Sequence, residues 1–125
     1  MIAHLRNEAG AEVIEDVLLN RSNRCYAHAP NVCEVYYDFH RAGGEQEAEQ
    51  AAVRLAGMGI RIVESMSGDF WRAAAKIKAT QKRVSLADCF AIALAQRLGA
   101  SILTTDHHEF DSVAQAQLCA VTFIR

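Results

Sequence analysis

No stretch of apolar residues in this chain reaches the ~18 that a membrane-crossing helix needs, because charges interrupt each one first. No C-x-x-C pair occurs among the four cysteines, Cys25, Cys33, Cys89 and Cys119, so the paired spacing of a zinc site is missing. Each cysteine falls in an apolar or mixed segment, where an inert buried thiol is the plain reading. A cleavable leader is not seen, since Met1–Leu5 is followed at once by Arg6, Asn7 and Glu8. The expectation is therefore a cytoplasmic protein with no membrane contact. Repeats, linkers and low-complexity segments are also lacking. With 51% of 125 residues apolar, there is enough material for one compact domain around a single core.

A large charge of one sign is absent too. The net charge of −2 argues against a protein that coats nucleic acid through bulk charge. The distribution says more than the total. Between Asp69 and Asp88 there is no acid, whereas Arg72, Lys76, Lys78, Lys82 and Arg83 fall in that gap. Such a patch can hold a phosphate backbone even on a neutral protein, with Arg72, Lys76, Lys82 and Arg83 as the candidate contacts. The plainer alternative is a solvated helix face.

What is present alternates between helical and strand-like periods. Met1–Arg6 is short and apolar, and Asn7–Gly10 reads as a turn. Val13, Ile14, Val17 and Leu18 recur at helical spacing, and Cys25–His28 reads as a short strand. Pro30 opens a helix to about His40, because its missing N–H costs nothing in a first turn. Glu45 to Met58 is a further helix, acidic early as the helix dipole favours. Ile60–Val63 alternates as a strand, and Ser67 is placed to cap a helix through Lys78. Ser85 starts a helix that Gly99 ends. Ala100–Thr104 reads as a strand, His107–Val113 as a turn or short helix, and Leu118–Ile124 as a last strand. Strands separated by helices indicate an α/β three-layer domain with a mainly parallel sheet of about four strands flanked by helices.

In such a sheet, ligands collect at the carboxyl ends of the strands. Three acids fall there on this reading: Glu34 in the first turn or so after the Cys25–His28 strand, Asp88 near the start of the Ser85 helix, and Asp106 just after Ile102–Leu103. Converging carboxylates repel one another unless a hard cation sits among them, which suits Mg²⁺ or Mn²⁺. Each acid also has a local use. Asp88 stands at capping-box spacing from Ser85, Asp106 could close its own turn, and Glu34 could favour a helix N-terminus. His107 and His108 would point opposite ways on a strand and read as surface residues, and His28 reads as packing. Trp71 is read as core rather than as a platform for a base.

The run Ser85-Leu86-Ala87-Asp88-Cys89-Phe90-Ala91-Ile92-Ala93-Leu94-Ala95, then Leu98-Gly99-Ala100 and Leu103-Thr104-Thr105-Asp106-His107-His108-Glu109-Phe110, resembles the PIN-domain signature of VapC-like toxins. Upstream, Ala29-Pro30-Asn31-Val32-Cys33-Glu34-Val35 looks like the segment that carries the family's second acid. The resemblance covers essentially the whole chain. It implies a metal-dependent endoribonuclease using Mg²⁺ or Mn²⁺, a neutralising antitoxin partner and a homodimer. By matched positions Glu34, Asp88 and Asp106 would be catalytic metal ligands. Glu109, Thr104 and Thr105 would stand behind them, the threonines orienting an acid or a metal-bound water. Such domains open with a hydrophobic strand that ends in Asp. Here Met1–Glu8 resembles the helix that follows that strand, so the strand and its Asp fall outside these residues. Activity is then expected to be weak or lost, which keeps a non-catalytic PIN scaffold that binds an antitoxin as the alternative. A receiver-like phosphoacceptor domain ranks third, since the last strand ends in Val121-Thr122-Phe123-Ile124-Arg125 with no lysine and no early acid pair is seen.

Overall fold

The computed structural model describes all of residues 1–125, which form two compact units, Met1–Val63 with Arg125, and Glu64–Ile124. The first unit runs α1 (Ile2–Leu5), α2 (Ala11–Leu19), β1 (Tyr26–His28), α3 (Ala29–Gly43), α4 (Glu45–Gly57) and β2 (Arg61–Val63). The second runs α5 (Gly68–Thr80), α6 (Leu86–Leu98), β3 (Ser101–Thr104), α7 (His107–Gln115) and β4 (Ala120–Phe123). The α/β class and the parallel strand direction match the expectation from sequence.

In the first unit β1 and β2 pair in parallel, with Tyr26 opposite Arg61, Ala27 opposite Ile62 and His28 opposite Val63. A parallel return needs a crossover, and α3 and α4 supply it. Gly44 joins the two helices at φ 89°, a backbone setting that a side chain would oppose. Ala48, Ala51 and Leu55 recur at helical spacing and are all buried. Leu5, Val35, Ala51 and Leu55 form the core of this unit, with Ile2, Val32, Phe39 and Ile60 packed against it. Burying a side chain such as Leu55 is worth about 1.5–3 kcal/mol. Arg6 ties α1 to α3 through Asp38 at 2.7 Å and lies 4.8 Å over the Phe39 ring. The guanidinium of Arg125 donates to the Ala9 carbonyl at 3.1 Å.

In the second unit β3 and β4 pair in parallel across α7, Ser101 opposite Ala120 through Thr104 opposite Phe123. The four strands are thus distributed over two parallel pairs rather than one four-stranded sheet, because each crossover returns the chain beside the strand it has just left. Phe70, Ala74 and Ile77 of α5, Cys89 and Ile92 of α6, and Phe110 and Val113 of α7 are buried. Gly99 adopts φ 61° after α6, and the Ala100 N–H donates back to the Ala95 carbonyl at 2.9 Å, which closes the helix end. Trp71 does not join the core as its spacing implied. One residue beyond buried Phe70, its ring is turned outward and 45% exposed, covered in part by the Arg72 guanidinium at 4.4 Å. No helix in either unit is long and apolar enough to cross a membrane.

Candidate active site

Two helix starts in the second unit carry most of the candidate residues. At the first, Ser85 is the N-cap of α6 and its hydroxyl oxygen accepts from the Asp88 N–H at 3.2 Å. A capping box would have the acid at position 88 reach back to the Ser85 N–H. Instead that N–H donates to Glu109 Oε2 at 2.8 Å. At the second start, Asp106 is the N-cap of α7, and its Oδ1 accepts from the Glu109 N–H at 3.0 Å. The Asp106 N–H in turn donates to Thr104 Oγ1, also at 3.0 Å. One hydrogen-bonded path therefore runs from Thr104 through Asp106, Glu109 and Ser85 to Asp88. It gathers five residues from two separate stretches of sequence, 85–88 and 104–109, and Glu109 links both helix starts.

Asp106 follows β3 directly, at the carboxyl end where the topology leads ligands to collect. Its half-buried carboxylate has one oxygen committed to the cap. Asp88 stands in the first turn of α6, also half-buried. Each N-terminus presents backbone N–H groups and the positive end of a helix dipole. Thr105 adjoins this path and is half-buried.

Glu34 belongs to the first unit. It is exposed on α3, in the second turn rather than the first, because the helix begins at Ala29 with His28 as its N-cap. The helix dipole therefore gives Glu34 no support, since that effect fades beyond the first turn. His28 is 1% exposed, as its reading as a packed residue required.

The basic gap separates into distinct roles. Arg72, Lys76, Lys82 and Arg83 are exposed. Lys78 is half-buried, and its ammonium donates to the Lys82 carbonyl at 3.0 Å and the Val84 carbonyl at 2.7 Å. Lys78 thereby fixes the loop leading into Ser85, a positioning role that its place in a basic run gave no means of singling out. Burial pushes the Cys89 thiol up; Lys78 opposes that shift, while Asp88 and Glu109 add to it. Charges from α5, α6 and α7 thus act on one buried thiol.

No group of three or more His, Cys, Asp or Glu side chains comes together to hold a metal ion. Mg²⁺ keeps several waters and takes only one or two carboxylates plus substrate phosphates. Asp88 and Asp106, two acids at helix starts joined by one hydrogen-bonded path, fit that sparser demand.

No curated protein and no solved structure matches the chain. A family model described as the PIN domain matches residues 1–116, which takes in every element from α1 through α7 and leaves out β4. PIN domains are in general nucleases that bind RNA and use divalent metal ions. A match over so much of the chain, with Asp88 and Asp106 on one network at two helix starts, means that the protein belongs to the PIN domain family.

Proposed function

We propose that this chain is a metal-dependent endoribonuclease domain of the VapC toxin kind. The observation that carries the reading is the path Asp106–Glu109–Ser85–Asp88, which ties together the starts of the two helices that bear Asp88 and Asp106. Asp88 and Asp106 would hold Mg²⁺ or Mn²⁺, whose chemistry is to make a bound water more nucleophilic and to offset charge on the phosphoryl oxygens. Glu34 is counted as a further acid on the sequence resemblance alone. Thr104 orients Asp106 by accepting from its N–H, and Glu109 orients both acids by bridging their helix starts. Thr105, next in the chain, is assigned the same supporting part by resemblance.

The test is cleavage of a mixed single-stranded RNA substrate with Mn²⁺, with EDTA as the blank. Asp106→Asn is informative because Asn caps a helix about as well as Asp, so the fold is kept while the charge is lost. Asp88→Asn and Asp106→Asn are each expected to lower the metal-dependent rate about a hundredfold, since loss of a group that merely supports a metal ligand already costs roughly 10–100-fold. Wild-type rates in both variants would end this reading.

A second reading, a PIN scaffold that binds an antitoxin without cutting RNA, is favoured by one observation: no three acids gather into a metal-holding group. A wild-type chain that binds no Mn²⁺ at millimolar concentration in calorimetry would select it.

A further inference from the structure

Beside the acid network lies an open depression in the second unit, lined by Arg83, His107, His108, Asp111, Ser112 and Gln115. Five of its six lining residues lie on α7, whose start bears Asp106 and Glu109, and the sixth, Arg83, lies in the loop before α6. His107 directly follows Asp106, and Arg83 lies two residues before Ser85. We infer that the depression is a phosphodiester-binding subsite, where Arg83 and His108 grip the backbone of single-stranded RNA beside the candidate carboxylates. The inference rests on the nuclease reading for its substrate class and adds the residues that hold the strand.

The chemistry of the lining is that of an anion host. Arg83 offers a planar fork of donors that suits the two free oxygens of a phosphodiester. It is exposed and takes part in no ion pair. His108 is exposed beside it and contributes ring nitrogens. The one acid in the lining, Asp111, faces His107, with Oδ1 3.1 Å from Nδ1, so its charge meets an imidazole before it meets a ligand. His107 is held in place on its other side as well, stacked on Phe123 at 4.0 Å and 11°. That stack keeps the wall of the depression fixed. Ser112 donates its hydroxyl to the Glu109 carbonyl at 3.1 Å, which leaves its lone pairs, not its proton, toward solvent. The gripping groups are therefore Arg83 and His108, with the Gln115 amide as a further donor.

The experiment is equilibrium binding of a fluorescein-labelled single-stranded RNA to the full chain in EDTA, followed by anisotropy across a salt series. Without metal, the measurement is independent of catalysis. Arg83→Ala is expected to weaken binding several-fold and to reduce the slope of log affinity against log salt by about 0.7, the share of one phosphate contact on a single strand. His108→Gln is expected to weaken binding by a smaller factor. Arg54→Ala, an exposed cation on α4, serves as the charge-matched control and should leave affinity unchanged. Both substitutions are at exposed positions, and circular dichroism verifies the fold. Wild-type affinity and slope in both variants, or no RNA binding by the wild-type chain in EDTA, would overturn the subsite. Failure of the nuclease reading looks different: Asp88→Asn and Asp106→Asn would cleave like wild type whatever Arg83→Ala does to binding.

Discussion

Among single residues, the cysteines respond most directly to where the fold puts them. All four are free thiols, but they do not share one environment. Cys89 is buried, Cys25 and Cys119 are half-buried, and Cys33 is exposed on α3, so the reading of four buried thiols is corrected at Cys33. Burial raises the pKa of Cys89 and Cys119, which keeps both protonated at pH values where an ordinary thiol has begun to ionise. Only the thiolate attacks iodoacetamide. Mass spectrometry of the native protein near pH 8 should therefore show Cys33 modified first and Cys89 last, with the gap narrowing as pH rises. Cys89 reacting as fast as Cys33 would mean that α6 opens readily. The same local view explains why Trp71 lies outside the core that its spacing implies. Helical spacing gives a residue's angular position, and Trp71 lies close enough to Phe70 and Ala74 for either face to claim it. What decides is whether a neighbouring element covers it, and Arg72 covers the ring where no core does.

For elements, legibility followed the presence of local punctuation. The start of α6 was readable from Ser85 and its end from Gly99, since a capping hydroxyl and a left-handed turn each demand particular residues. Helix α3 was less readable, because it leaves β1 without any turn and takes His28, an unusual cap, as its N-terminal residue. Ser67 marks the start of α5 by position, yet its hydroxyl makes no capping bond. The link between α6 and α7 lay beyond sequence altogether. Glu109 meets the Ser85 N–H across 24 residues, and no local pattern encodes that contact. It makes a specific prediction in urea unfolding. Glu109→Ala strands a half-buried N–H and should cost about 1–3 kcal/mol. Glu109→Gln keeps an acceptor oxygen and should cost clearly less. Ser85→Ala removes the hydroxyl cap and should cost about 1 kcal/mol. Equal losses for Glu109→Ala and Glu109→Gln would show that charge, not the hydrogen bond, joins the two helix starts.

For the whole molecule, the order of elements and the parallel strand direction were legible because hydrophobic period and crossover length are written locally. The distribution of strands into two pairs was not, since strands of three or four residues carry too little pattern to specify a partner. The candidate site divides the same way. Asp88 and Asp106 were found from their places beside a helix start and a strand end, whereas Glu34, in the first unit, has only resemblance behind it. Stability offers a readout that treats all three acids alike. A cation that binds only the folded chain stabilises it by mass action, by about 2.7 kcal/mol at a free concentration about a hundredfold above its Kd. Thermal unfolding with increasing Mn²⁺ should therefore show Tm rising by several degrees. Asp88→Asn and Asp106→Asn should abolish the rise, and Glu34→Gln should reduce it if that acid is a ligand as the resemblance implies. A rise that survives Glu34→Gln undiminished would confine the metal to the second unit, and a Tm indifferent to Mn²⁺ in the wild-type chain would leave the two carboxylates as helix caps alone.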